Sequence, residues 1–389
     1  MRRIVAISIA SSLCGGCEQI LGIEQPSSGS GSNGLQTCAP GPAPTFGAAI
    51  DYGGFNGGAT VEGFAVGKVI DGIRPDLIVT TGVDIFVHPA MGNGAFGASQ
   101  SLVNGIAVQA DQALVVDLDQ DQKDDVVSWI VGTGTVDVRY NADSFVSPTT
   151  FAIAAGNEIG NLLPGHSTPG GPAYLVVEAD GPSAGSTSVI TVHHQTARQF
   201  DNGTVVVPSG FLLAVRDLDG DGSDDIVYLD TSRVVNVIYG DSSGGFSPAS
   251  VVGTGSTNFA IGHFAANAQR LDMILLEEVG KTGEARLYAQ NQPRTFLPSA
   301  APVFQMPLGN GSSMFAVDLN LDGRDDVLNL SGLAVQCPMP SPLGVFAQDL
   351  TPIGHPPVQQ LAAVDLSGDG KPDLLELNSS GPVKISIHQ

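Results

Sequence analysis

One pattern recurs along this chain at nearly even intervals, and it narrows the possible folds more than any bulk property does. Its clearest copy covers residues 212–228: an apolar segment, an acidic loop containing Gly220 and Gly222, then a second apolar segment. Further copies cover 115–127, 316–328 and 363–375. In weaker ones, 75–79 follows 64–67 and 271–275 follows 260–264. An aspartate opens the second segment each time, at Asp76, Asp125, Asp225, Asp272, Asp326 and Asp373. The step from Asp125 to Asp225 is double the others, so one more unit belongs between them. The eroded stretch 174–178, followed by 188–192, lies there. Seven units result, and the six steps from 76 to 373 average 49.5 residues.

Each unit holds about four apolar runs of strand length; in the clearest copy they are 211–216, 225–229, 234–239 and 246–252. Runs of this size, rich in Val, Ile and Tyr and bounded by Gly, Ser and Asn, read as strands of an antiparallel meander. Gly 50 and Pro 25 supply the tight turns that many short strands need. Four strands repeating every ~50 residues mark a propeller blade. The expected fold class is all-β, a seven-bladed β-propeller of four-stranded antiparallel blades over residues 45–389. The last unit falls one strand short, while residues 45–50 precede the first unit and look like a fourth strand. That N-terminal strand is expected to complete the last blade and remove an exposed sheet edge. The alternative is a linear solenoid or a string of small sandwiches, but linear arrays normally need specialised caps.

The acidic loop joins the first two strands of a unit and reads Asp-x-(Asp, Asn or Ser)-x-Asp-Gly-x-x-Asp, except that Gln122 replaces the glycine in one copy. Side-chain oxygens at positions one, three, five and nine, with the carbonyl at seven, can converge on a hard cation. Ca²⁺ suits such a set, taking about six to eight oxygens at ~2.3–2.6 Å. Glycine at position six permits the left-handed conformation that turns the chain sharply. The closing acid at nine and the flanking strands separate the loop from an EF-hand. A solvated Asx turn is the simpler alternative. Four copies in register favour the cation, because unneutralised carboxylates this close repel one another.

These loops resemble FG-GAP/VCBS repeats, found in integrin α-subunit propellers and many secreted bacterial proteins, over roughly residues 45–389. The resemblance implies calcium between the first two strands of four blades. The best site would use Asp217, Asp219, Asp221 and Asp225 with the Ser223 carbonyl. The second would use Asp318, Asn320, Asp322 and Asp326 with the Arg324 carbonyl. The third would use Asp365, Ser367, Asp369 and Asp373 with the Lys371 carbonyl, weakened by Ser367. The fourth would use Asp117, Asp119, Asp121 and Asp125 with the Lys123 carbonyl. There a left-handed Gln122 would cost roughly 1 kcal/mol. The eroded units lack these ligands, so Asp217 is expected to matter more to stability than Asp76. Up to four structural Ca²⁺ are implied, which would bring the net charge from −23 to −15.

That negative charge repels a phosphate backbone and argues against nucleic acid as a partner. The N-terminus reads as an export signal over residues 1–17, with Arg2 and Arg3 before a short apolar run. The run is too short to span a bilayer. Residues 13–17 resemble a bacterial lipobox with Cys17 as the lipidated residue, although Cys14 stands where leucine is usual. A signal peptide cleaved without lipid is the alternative. Residues 18–44, rich in Gly, Ser and Pro, read as a flexible tether. Cys38 and Cys337 are disulfide candidates in an oxidising compartment. The chain is therefore expected outside the cytoplasm, as an outer-membrane or cell-surface lipoprotein or as a secreted protein.

Catalytic chemistry needs convergent acid and base groups, and outside the acidic loops none is evident. His193 and His194 form the one adjacent histidine pair and read as a surface pair; Trp129 and Tyr228 read as core. The expected function is non-enzymatic: a calcium-binding cell-surface propeller that binds a protein or a glycan in adhesion. The alternatives are a polysaccharide lyase or hydrolase using the central funnel, and a lectin-like glycan receptor.

Overall fold

The structure, a computed structural model, describes residues 46–389 apart from 53–59, 103–109, 154–156, 182–186, 266–268, 280–281, 308–313, 330–331, 337–345, 350–357 and 379–381. The export segment 1–17, the tether 18–44, Cys17, Cys38 and Cys337 lie outside the described residues.

The repeat maps directly onto strands. In each unit the first strand ends opposite the residue that opens the second: Gly67 opposite Asp76, Val116 opposite Asp125 and Arg216 opposite Asp225. The same holds for Gly262 and Asp272, Val317 and Asp326, and Val364 and Asp373. In the eroded unit His166 faces Ala173, so the spacing is kept although the aspartate is lost. At least two more antiparallel strands extend each pair into a sheet. Among the described residues there are seven sheets of four or five strands, called sheets 1 to 7 in chain order of their second strands, and a separate two-stranded hairpin.

Three of the second strands, Asp76–Thr80, Asp125–Trp129 and Asp225–Leu229, are buried along their whole length. Side chains alternate between the two faces of a strand, so each second strand feeds two seams. Ile78 packs with Val126 between sheets 1 and 2, whereas Val79 packs with Leu375 between sheets 1 and 7. Leu114 and Leu175 share the next seam, then Val176 and Ile226, then Val237 and Met273. Ile274 with Val327, and Leu328 with Leu374, complete the circuit. Every neighbouring pair of sheets shares one apolar cluster, and the circuit returns to its start. A linear array would leave two outer faces bare; this ring leaves none.

Two further contacts hold the junction of sheets 7 and 1. Gln360 Nε2 donates to the Phe64 carbonyl at 2.8 Å, and Gln360 Oε1 accepts from the Phe64 amide at 3.0 Å. The outer strand of sheet 7 is Ile50–Tyr52, paired with 383–385. It begins where the expected strand at 45–50 ends; Phe46 contributes only an isolated bridge to His388. Deleting residues 46–52 should strip an antiparallel partner from Val383–Ser386 and open an edge. The expected result is a lower thermal midpoint and concentration-dependent association by size-exclusion chromatography; an unchanged monomer of unchanged midpoint would refute the closure.

Two features depart from the sequence reading. The fourth strand of sheet 4 is Ser250–Thr254 rather than 246–252. Pro248 has no amide to donate, and Ser247 is already tied to Tyr239 by its amide at 2.8 Å and its hydroxyl at 3.0 Å. Sheets 1, 3 and 5 also carry an added hairpin after their third strand, ending in Ala95–Phe96, Gln199–Phe200 and Thr295–Pro298. The hairpins of sheets 3 and 5 reach the acidic loops of the preceding sheets.

Candidate cation-binding loops

Each acidic loop is organised from its last residue. Asp225 is fully buried; its Oδ2 accepts from the Leu218 amide at 2.9 Å and its Oδ1 from Gly240 at 2.9 Å. Asp125 does the same with Leu118 at 3.0 Å and Asn141 at 2.8 Å. Asp373 accepts from Leu366 and His388, both at 2.8 Å, and Asp326 from Leu319 at 3.1 Å. In the loops of sheets 2, 4 and 7 the position-nine carboxylate thus staples the loop to the exit of the third strand, the reason it sits at the strand boundary.

The first carboxylate folds the loop over itself. Asp217 accepts from Gly220 and Gly222, both at 2.8 Å, and Asp365 from Gly368 and Gly370 at 2.7 and 2.8 Å. Asp117 accepts from Asp121 and Gln122, and Asp318 from Asp322 and Gly323. Position six is left-handed as expected, including Gln122 at φ 70°. Position four is left-handed as well, through Gln120, Gly220, Leu321 and Gly368. Glycines at 220 and 368 were the available signal for that second turn. Carboxylates at position five accept from the amide at position seven: Asp121 from Lys123, Asp221 from Ser223, Asp322 from Arg324 and Asp369 from Lys371.

Two loops bring three carboxylates together. One oxygen each from Asp117, Asp119 and Asp125 lies within 4.8 Å of the others, and the same holds for Asp217, Asp219 and Asp225. Asp121 and Asp221 stand outside these clusters. In the other two loops position three is Asn320 or Ser367, so the equivalent site has one carboxylate fewer. Burial, reinforced by the carboxylate at position three, pushes Asp125 up to about 7 and Asp225 up to about 8. Burial also raises Asp117, Asp217, Asp318 and Asp373. Asp119 Oδ1 is buried without a hydrogen-bond partner. A hard divalent cation fits this donor set, since it would neutralise clustered oxygens and coordinate the orphaned one.

The two weaker units, at Asp76 and Asp272, keep the staple without the cluster. Asp76 is 2% exposed and accepts from Val69 at 3.1 Å, Ile70 at 2.7 Å and Ala90 at 2.8 Å. Asp272 accepts from Phe264, Ala265 and Gln290 at 3.1, 2.6 and 2.7 Å. The loop pattern alone ranks Asp217 above Asp76; in this geometry Asp76 holds more buried backbone.

A second aspartate, at position eight, was missed although the doublets Asp124-Asp125, Asp224-Asp225 and Asp325-Asp326 display it. Asp124 Oδ2 accepts from Lys68 at 2.6 Å, Asp224 Oδ2 from His166 at 2.7 Å and Asp325 Oδ2 from His263 at 2.6 Å, each across a seam. Gly67 and Gly262 make room: a Cβ there would lie 2.5 Å from the Asp124 or Asp325 carboxylate oxygen. The expected surface pair of histidines is half corrected. His193 is 1% exposed, its ring 5.0 Å from Phe151, and burial lowers its pKa. His194 is half-buried against Tyr174. Trp129 and Tyr228 are core.

No family model matches this chain, and no curated protein does. Solved structures do. The lectin BP39L from Burkholderia pseudomallei aligns with a TM-score of 0.62 at 14% identity, over 85% of this chain and 96% of that one. A structure of BBS1N in complex with ARL6DN aligns with a TM-score of 0.54 at 11% identity, over 88% of this chain and 96% of that one. At such identity the likeness shows the fold alone. Both neighbours are β-propellers, and with its ring of antiparallel sheets this chain is an all-β protein of the β-propeller fold.

Proposed function

We propose that the chain is a non-enzymatic binding propeller of the FG-GAP/VCBS type, exported and displayed at the cell surface, with calcium stiffening its loops. The observation that carries the calcium reading is the pair of three-carboxylate clusters with the orphaned, buried Asp119 Oδ1. Calcium bound there would supply charge neutralisation and fixed loop geometry. The loops 117–125 and 217–225 would hold it most tightly, with 318–326 and 365–373 weaker for want of a carboxylate at position three. Their acids are occupied in holding backbone, which suits a scaffold better than a catalyst.

The partner class is protein or glycan. One neighbour is named a lectin and another is seen in complex with a protein, which supports binding as the role of such a ring. A specific observation favours glycan as the second reading. Between sheets 3 and 4 lies a groove of about 360 Å³, walled by Val192, His194, Val206, Phe246 and Ser247. Among the described residues no hydrogen bond engages the imidazole of His194, and the apolar wall beside it suits a sugar face. A glycan array run in Ca²⁺ and in EDTA separates the readings. Calcium-dependent glycan signals lost in His194→Ala would select the lectin-like reading. Silence on the array, with capture of a surface protein, would select the protein binder. Turnover of a polysaccharide would overturn both in favour of a lyase or hydrolase.

A further inference from the structure

Two of the four loops are roofed by an arginine from the following sheet. Arg198 and Arg294 lie in the added hairpins of sheets 3 and 5, with φ of 63° and 60°. That left-handed conformation is unfavourable for a side chain with a Cβ, so other contacts hold both residues in place. Arg198 Nη2 lies 2.6 Å from Asp119 Oδ2, and its Nη1 lies 2.8 Å from Asp143 Oδ2. Arg294 Nε lies 2.6 Å from Asp219 Oδ2, and its Nη2 lies 3.1 Å from Asp221 Oδ2.

Each guanidinium also sits over a tyrosine ring of the loop's own sheet, at 4.7 Å from Tyr140 and 4.9 Å from Tyr239. A glutamine from the same hairpin strand finishes the contact. Gln195 donates to the Leu118 carbonyl at 3.4 Å and Gln290 to that of Leu218 at 3.0 Å. Glutamine and arginine are three residues apart in one hairpin and four in the other, yet the groups arrive at the same place. Among the described residues, no arginine or lysine of a neighbouring sheet pairs with the position-five Asp322 or Asp369 of the other two loops, whose position three is Asn320 or Ser367.

The arginine shares the carboxylate with the ion site and does not fill it. It takes Oδ2 of Asp119, while Oδ1 stays buried and unpartnered. We infer that Arg198 and Arg294 are built-in counter-cations: they hold the position-three carboxylates across their seams without metal, and their charge weakens Ca²⁺ binding at those two loops. This inference rests on the calcium reading for its second half only. The two halves have opposite signs. Removing the guanidinium leaves clustered acids unneutralised in the metal-free protein, and it also lifts a repulsion on the incoming divalent ion. A purely packing role would move both properties the same way.

The test uses the full chain with Arg198→Gln and Arg294→Gln together, beside the charge-retaining pair Arg198→Lys and Arg294→Lys. In EDTA the glutamine variant should melt several degrees below wild type. In calorimetric Ca²⁺ titration its two affected sites should bind about tenfold more tightly. The lysine variant should stay near wild type in both. An unchanged midpoint in EDTA, or weaker Ca²⁺ binding by the glutamine variant, overturns the inference. A wild-type protein that takes up no Ca²⁺ rejects the calcium reading and the affinity half, while the EDTA midpoints still decide the counter-cation half.

Discussion

Asp76→Ala is expected to destabilise the protein by about 3–6 kcal/mol, equally in Ca²⁺ and in EDTA. The substitution leaves the buried amide of Val69 and the part-buried amides of Ile70 and Ala90 without their acceptor. Each buried donor left unsatisfied costs about 1–3 kcal/mol. Asp272→Ala should behave alike, since Asp272 serves three amides in sheet 5. Asp217→Ala should differ in kind. Its two amide partners lie at the loop rim, one of them exposed, so its cost in EDTA should be near 1 kcal/mol, rising once Ca²⁺ is present. Chemical denaturation of the three variants, with and without the ion, decides this. An Asp76→Ala variant as stable as wild type in EDTA would show that the staple is dispensable.

Adding Ca²⁺ to EDTA-treated protein should raise its thermal midpoint by roughly 10 °C when two loops fill. That figure takes about 2.7 kcal/mol per site at a hundredfold excess over Kd, and about 2 °C per kcal/mol for a chain of this size. The rise should grow with pH. Asp125 and Asp225 stand near 7 and 8 in the metal-free fold, against about 3.8 when unfolded. A carboxylate raised in this way contributes stability below pH ~4 that is lost as pH climbs through the folded value. The metal-free protein should therefore weaken from about pH 4 to pH 8. Ca²⁺ binds the deprotonated form and releases protons, so its stabilisation should be small at pH 5 and greatest near pH 8. No shift at either pH, with no bound metal by elemental analysis, would reject structural calcium.

The strands were legible because their spacing and apolar content are local properties. Asp225 marks the start of a strand in sequence as in space, and Ala173 falls where the interval demands even though its side chain carries no signal. What escaped reading depends on partners far along the chain. Arg294 meets Asp219 from 75 residues away, and Asp224 reaches His166 across 58. No local periodicity encodes such pairings, and the added hairpins that deliver the arginines look like ordinary strand extensions. The marker aspartate was read for its oxygens as ion ligands. Its primary work, accepting buried amides, is visible only once Asp76 and Asp272 are seen doing it with no cluster around them.

Closure sets an order of events for biosynthesis. Ile50 pairs with Ile385, 335 residues further on, so the earlier strand must wait, unpaired, until the later one has been made. A nascent chain holds six sheets with an open flank until then. Such long-range pairing is slow and exposes strand edges meanwhile. A stalled or shortened chain should therefore be a target for chaperones and proteases, and the yield of folded protein should fall steeply for truncations that reach residue 383.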